Sequence, residues 1–318
     1  MSIMVIVCGG CGEEIKVHTE TYSDGDLKEE YQYYNHHETN SMIKSGWYKS
    51  YHEDGKYSQI GSYKEDKKDS EWILYYKNGQ VHVKKFYNDG KEEGKEVWYY
   101  ENGNVKLKRS YKYGKRDGNE TIFFENGKLE WEKNFLDGKY QGKLIGYHKN
   151  GHLYVKGNYK DGKEQGKWFV YHKNGALKQT RHYKDGNKEG EWISYYVTGK
   201  VKQLGRYKNG EEEGRWVSYY ENGNLYVEGT YKNGKEEGKE IWRYENGEIE
   251  LERNYRYGKL HGNYVSYYIN GQIYEEGKHI DGKRDGRWNK YERGGNKSDT
   301  DIYRRGKCVE MCEGDEND

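Results

Sequence analysis

The stretch "WFVYHKNGALKQTRHYKDGNKEG", residues 168–190, becomes "WISYYVTGKVKQLGRYKNGEEEG" when the reading frame advances by 24 residues. A further step of 24 gives "WVSYYENGNLYVEGTYKNGKEEG", residues 216–238. A fixed period of this length marks a repeat architecture, in which one small unit is copied and stacked. Asn-Gly sets the register at Asn78-Gly79, Asn102-Gly103, Asn126-Gly127, Asn150-Gly151, Asn174-Gly175, Asn222-Gly223, Asn246-Gly247 and Asn270-Gly271, with Thr198-Gly199 filling the gap and Asp54-Gly55 preceding the set. A second glycine column runs from Gly90 to Gly282 and a third from Gly94 to Gly286, each at the same 24-residue step. Spacing this strict leaves no room for an inserted domain between about residue 46 and residue 306.

Each unit reads as a β-hairpin. Asn-Gly flanked by aromatic and β-branched residues signals a two-residue type I′ turn, which needs positive φ at both central positions. "EWILYYK" precedes one such turn and "QVHVKKFY" follows it; "NDGKEEG" then supplies a second turn through Asp/Asn-Gly. No helical period occurs in the array. The predicted fold is all-β: an elongated single-layer antiparallel sheet of tandem hairpins, about eleven 24-residue units. At ~4.8 Å between strands, about 22 strands would span roughly 100 Å.

A two-residue turn at 78–79 sets residue 72 opposite 85 on one face and 75 opposite 82 on the other. Down the copies, Trp192 then faces Gly205, Trp216 faces Gly229 and Tyr264 faces Gly277, so that a ring covers a missing side chain. Where Glu replaces the ring a cation replaces the glycine: Glu96 faces Arg109, Glu120 faces Lys133, Glu240 faces Arg253. In those copies an apolar residue reappears two positions on, as Trp98, Ile122 and Trp242. On the other face Arg243 is matched with Glu250. These glutamates read as structural partners.

Composition agrees with a thin aromatic array. The chain has 318 residues, 43 Gly, 37 Tyr and no Pro; hydrophobic residues make up 32% and charged residues 34%. Low hydrophobicity alone would suggest disorder, but 16% aromatic content argues against it. A net charge of +1 gives no field to attract nucleic acid or an anionic membrane. The apolar run in "MSIMVIVCGGCGEEIK" is too short for a signal peptide and lacks a basic leader, which predicts a cytoplasmic address.

Catalytic patterns do not survive the repeat. The carboxylates recur as loop residues and cross-strand partners, not as a pair in unequal environments within a cleft. His82, His148, His172 and His182 occupy strand columns filled elsewhere by Tyr, Lys or Asn, so they read as ring substitutes. The glycines recur at turn columns and form no phosphate-binding fingerprint. The sequence therefore predicts no enzyme, no cofactor and no small-molecule substrate. "CGGCG", with Cys8 and Cys11, has the spacing of one zinc knuckle, with His18, His36 and His37 as nearby candidates; Cys308 and Cys312 are predicted to lie at the opposite end. Against that knuckle stands the plainer reading of thiols in a terminal cap.

"GKWFVYHKNGALKQTRHYKDGNKEG" resembles the MORN repeat, specifically the bacterial YwqK-type variant with a Tyr-Tyr-x-Asn-Gly signature, over roughly residues 46–306. The resemblance implies a single-layer sheet of hairpins, no catalysis, and a scaffold or binding role. Some relatives are called antitoxins, and eukaryotic MORN proteins are linked to membranes and phosphoinositides; no basic column here recurs strongly enough to suggest a lipid site. The predicted organisation is residues 1–45 as a cap with a degenerate half repeat ("SDGDLKEEYQYY"), residues 46–311 as the array, and residues 312–318 as an acidic disordered tail.

Two functional classes follow. One is a protein-interaction scaffold whose candidate anchors are Tyr75, Tyr99, Tyr147, Tyr171, Tyr195, Tyr219 and Tyr267. The bland reading of those rings is mutual stacking in support of a thin sheet. The other class is carbohydrate or cell-wall binding, since rows of Trp and Tyr stack on sugars.

Overall fold

Strands follow one another along the whole described chain, and among the described residues there is no helix. The computed structural model describes residues 14–310 and 312. It divides into two compact units at Lys163/Glu164.

The first unit opens with strands Lys16–Thr21, Leu27–Asn35 and Met42–Tyr51, paired antiparallel in sequence order. Residues 16–45 thus continue the same sheet ahead of the strict repeats. Tyr57–Lys64, Lys67–Tyr75 and Val81–Asn88 begin the regular part, each again antiparallel to its predecessor. In the second unit, Leu177–Lys184 pairs with Lys163–Tyr171, and the alternation runs on to Lys297–Arg304 and a short last strand, Lys307–Glu310. Hairpins of the same build therefore fill residues 259–304 as well.

The type I′ turn expected at Asn-Gly is found at the other glycine column instead. At Asn78-Gly79 only the glycine has positive φ, at 86°. Tyr76 N–H donates to Gln80 O and Gly79 N–H donates to Tyr76 O, which makes a type I turn closed by a glycine bulge. The Asn78 side chain explains the choice. Its Oδ1 accepts the Gln80 N–H at 2.9 Å, while Nδ2 donates to Glu101 O at 3.3 Å in the next repeat. The type I′ turns lie at the other glycine column: Asp89 has φ 49° and Gly90 φ 77°. Tyr113 and Tyr257 hold the same left-handed position without the help of a short polar side chain, at φ 52° each.

The three-residue loop adds one residue, and a bulge at Leu74/Tyr75 takes it back. Tyr75 pairs with Val81, but Leu74 pairs with Val83 and Trp72 with Lys85. The deep register is therefore the one expected, whereas the pair nearest the turn is not. Arg243 likewise pairs with Ile249, not Glu250, and its guanidinium donates to Gly247 O. The third glycine column marks a second bulge: Gly94 has φ 67°, and Glu93 N–H donates to Phe86 O ahead of it.

A ring column forms the core of each unit. Trp72 is fully buried, stacked on Tyr48 at 5.4 Å and edge-on to Tyr63 at 5.0 Å, and its Nε1 donates to Ser62 O. In the second unit Trp216 takes Tyr207 and Tyr231 edge-on, and Trp288 packs against Tyr264, His279 and Tyr303. Edge-to-face pairs of this kind add about 0.5–1.5 kcal/mol each beyond area burial, which offsets a scarcity of aliphatic side chains.

Candidate interaction surface

The expected pairings of the Trp/Glu column hold: Trp192 pairs with Gly205, Trp216 with Gly229, Tyr264 with Gly277, Glu96 with Arg109, Glu120 with Lys133 and Glu240 with Arg253. The glycines serve a different ring from the one expected, however. A Cβ on Gly61 would overlap the indole of Trp72, one on Gly205 that of Trp216, and one on Gly277 that of Trp288. Each glycine makes room for the tryptophan eleven residues later, on the next hairpin. At Gly146, by contrast, the covering ring, Trp131, comes from the paired residue of the preceding strand.

Where the column carries charge it becomes a ladder. Glu96 is buried between Arg109, which it meets as an ion pair through Nε, and Lys85, whose Nζ lies 3.0 Å from Oε1. Glu120, also buried, is reached by Lys133 at 3.4 Å and Arg116 at 3.3 Å, with Arg109 at 3.9 Å. Cations and carboxylates thus alternate along five consecutive column positions, 85, 96, 109, 120 and 133. Burial works to raise the Glu96 carboxyl, but Arg109 and Lys85 outweigh it and hold it below the ordinary carboxylate range. Such a group is committed to its partners and is not poised to exchange a proton at neutral pH.

The seven candidate tyrosines, from Tyr75 to Tyr267, are all half-buried at the last position of a strand. The backbones of five of them are tied down by the preceding repeat. Tyr76 Oη donates to Tyr99 O at 2.7 Å, Tyr196 Oη to Tyr219 O at 2.7 Å and Tyr244 Oη to Tyr267 O at 2.7 Å. His52 and His172 do the same work with Nε2, at 3.2 Å from Tyr75 O and 3.4 Å from Tyr195 O. The second Tyr of the Tyr-Tyr-x-Asn-Gly signature is therefore a strut between repeats, a role that spacing alone does not disclose because the bond spans 23 residues. His82, too, behaves as a ring, packed on Tyr76 at 4.2 Å and edge-on to Trp98. Tyr75 lies 6.3 Å from Tyr57, and burial pushes its hydroxyl above the ordinary tyrosine range.

Two clefts in the second unit have a candidate tyrosine in the wall. One, of about 370 Å³, is bounded by Trp242, Tyr244, Leu251, Arg253, Tyr264 and Tyr267. The other, of about 480 Å³, includes Phe169, Arg181, Ile193, Tyr195 and Arg206. Aromatic rings beside arginine are the pairing enriched at protein interfaces. Cys8 and Cys11 lie outside the described residues. Of the histidines suggested for that knuckle, His18 pairs with Tyr31 across the sheet, and His36 and His37 stack on each other.

Comparison with known families settles the class. The MORN repeat variant family matches nine tandem segments, 46–65, 68–89, 92–113, 116–137, 140–161, 164–185, 188–209, 212–233 and 236–257, over half of the chain. The chain is a MORN repeat protein. No curated protein matches it. Among solved structures, the TcdB2-TccC3-Cdc42 complex aligns over 92% of this chain and 17% of that chain at 12% identity and a TM-score of 0.19. TcdB2-TccC3 without its hypervariable C-terminal region aligns over 94% and 18% at 12% identity and a TM-score of 0.18. A porin-like protein from Bacteroides uniformis aligns over 77% and 91% at 10% identity and a TM-score of 0.14. The MORN chain spans less than a fifth of the first two.

Proposed function

We propose that this MORN repeat protein is a non-catalytic scaffold that binds a protein partner through the tyrosine-bearing clefts. The observation that carries the reading is the wall composition of the two clefts: each sets a strand-end tyrosine, Tyr267 or Tyr195, beside other aromatic or aliphatic groups and an arginine. Rings held on a backbone already fixed by the Tyr and His struts lose little conformational freedom on binding, which favours affinity. The non-catalytic part rests on the roles of the polar groups: Asn78 closes a turn, Tyr76 braces a repeat, and Glu96 and Glu120 pair with cations.

The test compares the full-length chain with a Tyr195→Ala/Tyr267→Ala variant whose thermal melt stays close to the parent's. Cross-linking mass spectrometry on complexes from the native cell, followed by titration with the purified partner, should place cross-links at both clefts and show at least tenfold weaker binding by the variant. Unchanged affinity in the variant, or cross-links confined to other surfaces, would refute the proposed site. A glycan array run in parallel separates the second class: sugar binding lost in the same variant would make this a carbohydrate module instead.

A further inference from the structure

Glu250 is half-buried beside aromatic residues and has no cation to meet it. Arg243, the cation expected opposite it, turns its guanidinium to Gly247 O at 3.2 Å. One repeat earlier the same column holds Tyr226, which packs edge-on against Trp242 at 5.1 Å. For Glu250 the residue in the place of Trp242 is Ser266: Leu251 pairs with Ser266 as Val227 pairs with Trp242. Serine is too short to fill that space, and its hydroxyl donates to Glu275 O at 3.4 Å. Among the described residues no hydrogen bond or ion pair reaches the Glu250 carboxylate.

The cleft of about 370 Å³ lies where the missing ring would stand. Glu250 shares its wall with Trp242, Tyr244, Tyr264 and Tyr274, the last 46% exposed. Burial pushes the Tyr244 hydroxyl above the ordinary tyrosine range, and the Glu250 charge adds to that rise. Arg253, the cation of this wall, is already committed, 2.5 Å from Glu240 and over the Trp242 ring at 5.5 Å. The cleft therefore holds one uncompensated negative charge among aromatic side chains. A carboxylate in that position has lost part of its hydration without gaining a partner. The second cleft has the opposite excess, since Lys167, Arg181 and Arg206 outnumber Glu191 in its wall.

From this we infer that the Glu250 cleft receives a cationic side chain, lysine or arginine, of the protein partner. Its charge meets Glu250, and its aliphatic stem lies along the tyrosine rings, whose faces attract cations. The inference rests on the reading of this cleft as a protein-docking site and adds the chemistry of the residue that enters it. An acidic anchor would meet Glu250 with like charge, and an apolar one would bury it unpaired, so the cleft selects against both.

The experiment titrates the isotope-labelled full-length chain with Nα-acetyl-lysine amide, Nα-acetyl-arginine amide and their neutral counterpart, Nα-acetyl-norleucine amide. The NMR signal of the Trp242 indole N–H, assigned through Trp242→Phe, reports occupancy. At least one cationic amide should bind at least about fivefold more tightly than the norleucine amide. Glu250→Gln should abolish that preference while leaving norleucine binding and the melting temperature unchanged. The inference is overturned if neither cationic amide moves the signal, if norleucine binds as tightly, or if Glu250→Gln keeps the preference. With the purified partner, Glu250→Gln should also weaken binding at least about fivefold. Weakening by Tyr195→Ala/Tyr267→Ala without weakening by Glu250→Gln overturns the cationic anchor and leaves the docking site standing. Indifference to both variants overturns the docking site itself, and the anchor with it. Sedimentation with phosphatidylcholine vesicles that is lost in Glu250→Gln would assign the cleft to a lipid ammonium group and overturn the peptide side chain.

Discussion

The indole of Trp216 lies directly over Gly205, the residue eleven positions before it, although the strand partner of Gly205 is Trp192. At Gly61, Gly205 and Gly277 a hairpin therefore fits its predecessor through a ring seated on a bare backbone. Gly205→Ala would drive a methyl group into that ring, and Gly205 is extended, so the cost is steric and not conformational. Overpacking of this kind typically costs about 1–3 kcal/mol, and we expect the upper part of that range here. Gly229 is the control. Its nearest neighbour is Glu240 Cγ at 3.4 Å, an ordinary contact, so Gly229→Ala should fall within about 0.5 kcal/mol of the parent. Urea denaturation of both variants checks this; equal losses would show that the ring over Gly205 is not what constrains the site.

The same geometry separates glutamates that occupy the same column. Glu240 has Gly229 on one side and Arg253 at 2.5 Å on the other, so Glu240→Trp gains a glycine seat like that of Trp216. Its new ring could also stack on Arg253, as Trp192 already does on Arg181 at 5.0 Å. We expect a change within about 1 kcal/mol. Glu96 stands between Lys85 and Arg109, so Glu96→Trp would take the buried partner from two cations, leaving Lys85 to Glu92 and Arg109 to Glu120, and it gains no glycine seat. Breaking a buried pair in this way costs about 3–5 kcal/mol. A Glu240→Trp loss as large as that of Glu96→Trp would contradict the seating argument.

Acid should expose the Glu96 contribution. Its folded-state pKa lies below the reference value of 4.5, so the stabilisation is complete above pH 4.5 and disappears as the pH falls through the lowered folded value. Stability of Glu96→Gln measured against the parent from pH 7 down to pH 3 should show a gap that is flat above 4.5 and closes below it. A gap independent of pH would mean that packing, not charge, is lost.

How far the sequence carried this reading depended on which bonds are local. Trp72↔Lys85 and Glu96↔Arg109 were legible because strand pairing converts spacing into contact, and the recurring Glu/cation coincidence tested the register internally. The pair at the turn, Tyr75↔Val81, was not legible, because the Asn78 side chain selects a three-residue loop and the bulge then hides the extra residue from every pair beyond it. The ring over Gly205 was assigned to Trp192 because only the pairing within the hairpin was followed, whereas the register with the next strand, Gln203↔Ser218 and Leu204↔Val217, brings Trp216 to the other side of Gly205. The Tyr76 strut is a contact between hairpins, and a repeat pattern signals it only as an unexplained column.

The strut itself can be measured. Tyr220 Oη donates to Arg243 O at 2.7 Å, and its ring also packs on Tyr226 at 4.7 Å. Tyr220→Phe removes the hydrogen bond and keeps the ring, a change the chain already makes at Phe124, so the loss should be about 1 kcal/mol. Tyr220→Ala removes both and should cost about 3 kcal/mol or more. Amide exchange should quicken first around residues 243–249, where the strut lands. No faster exchange there in Tyr220→Phe would remove the hydroxyl from any bracing role.

His279 offers a pH effect of a different origin. It holds a column where Tyr255 and Tyr303 stand in flanking copies, and it is buried against Trp288 at 4.9 Å and Tyr264 at 5.6 Å. Burial, reinforced by Arg284 and Arg253, lowers its pKa below the reference value of 6.5. Above pH 6.5 the ring is neutral folded or unfolded and contributes no pH dependence. Below 6.5 the unfolded chain takes up a proton that the folded chain resists, so stability falls until the pH reaches the lowered folded value. We expect the parent to lose stability between pH 6.5 and pH 5, and His279→Tyr to lose less over the same interval because it restores the ring usual in this column. His82, whose pKa burial also lowers, will leave a residual slope in that variant, so the comparison is the difference between the two proteins at each pH. Parallel stability curves for parent and His279→Tyr across this interval would show that protonation of His279 is not resisted by the fold.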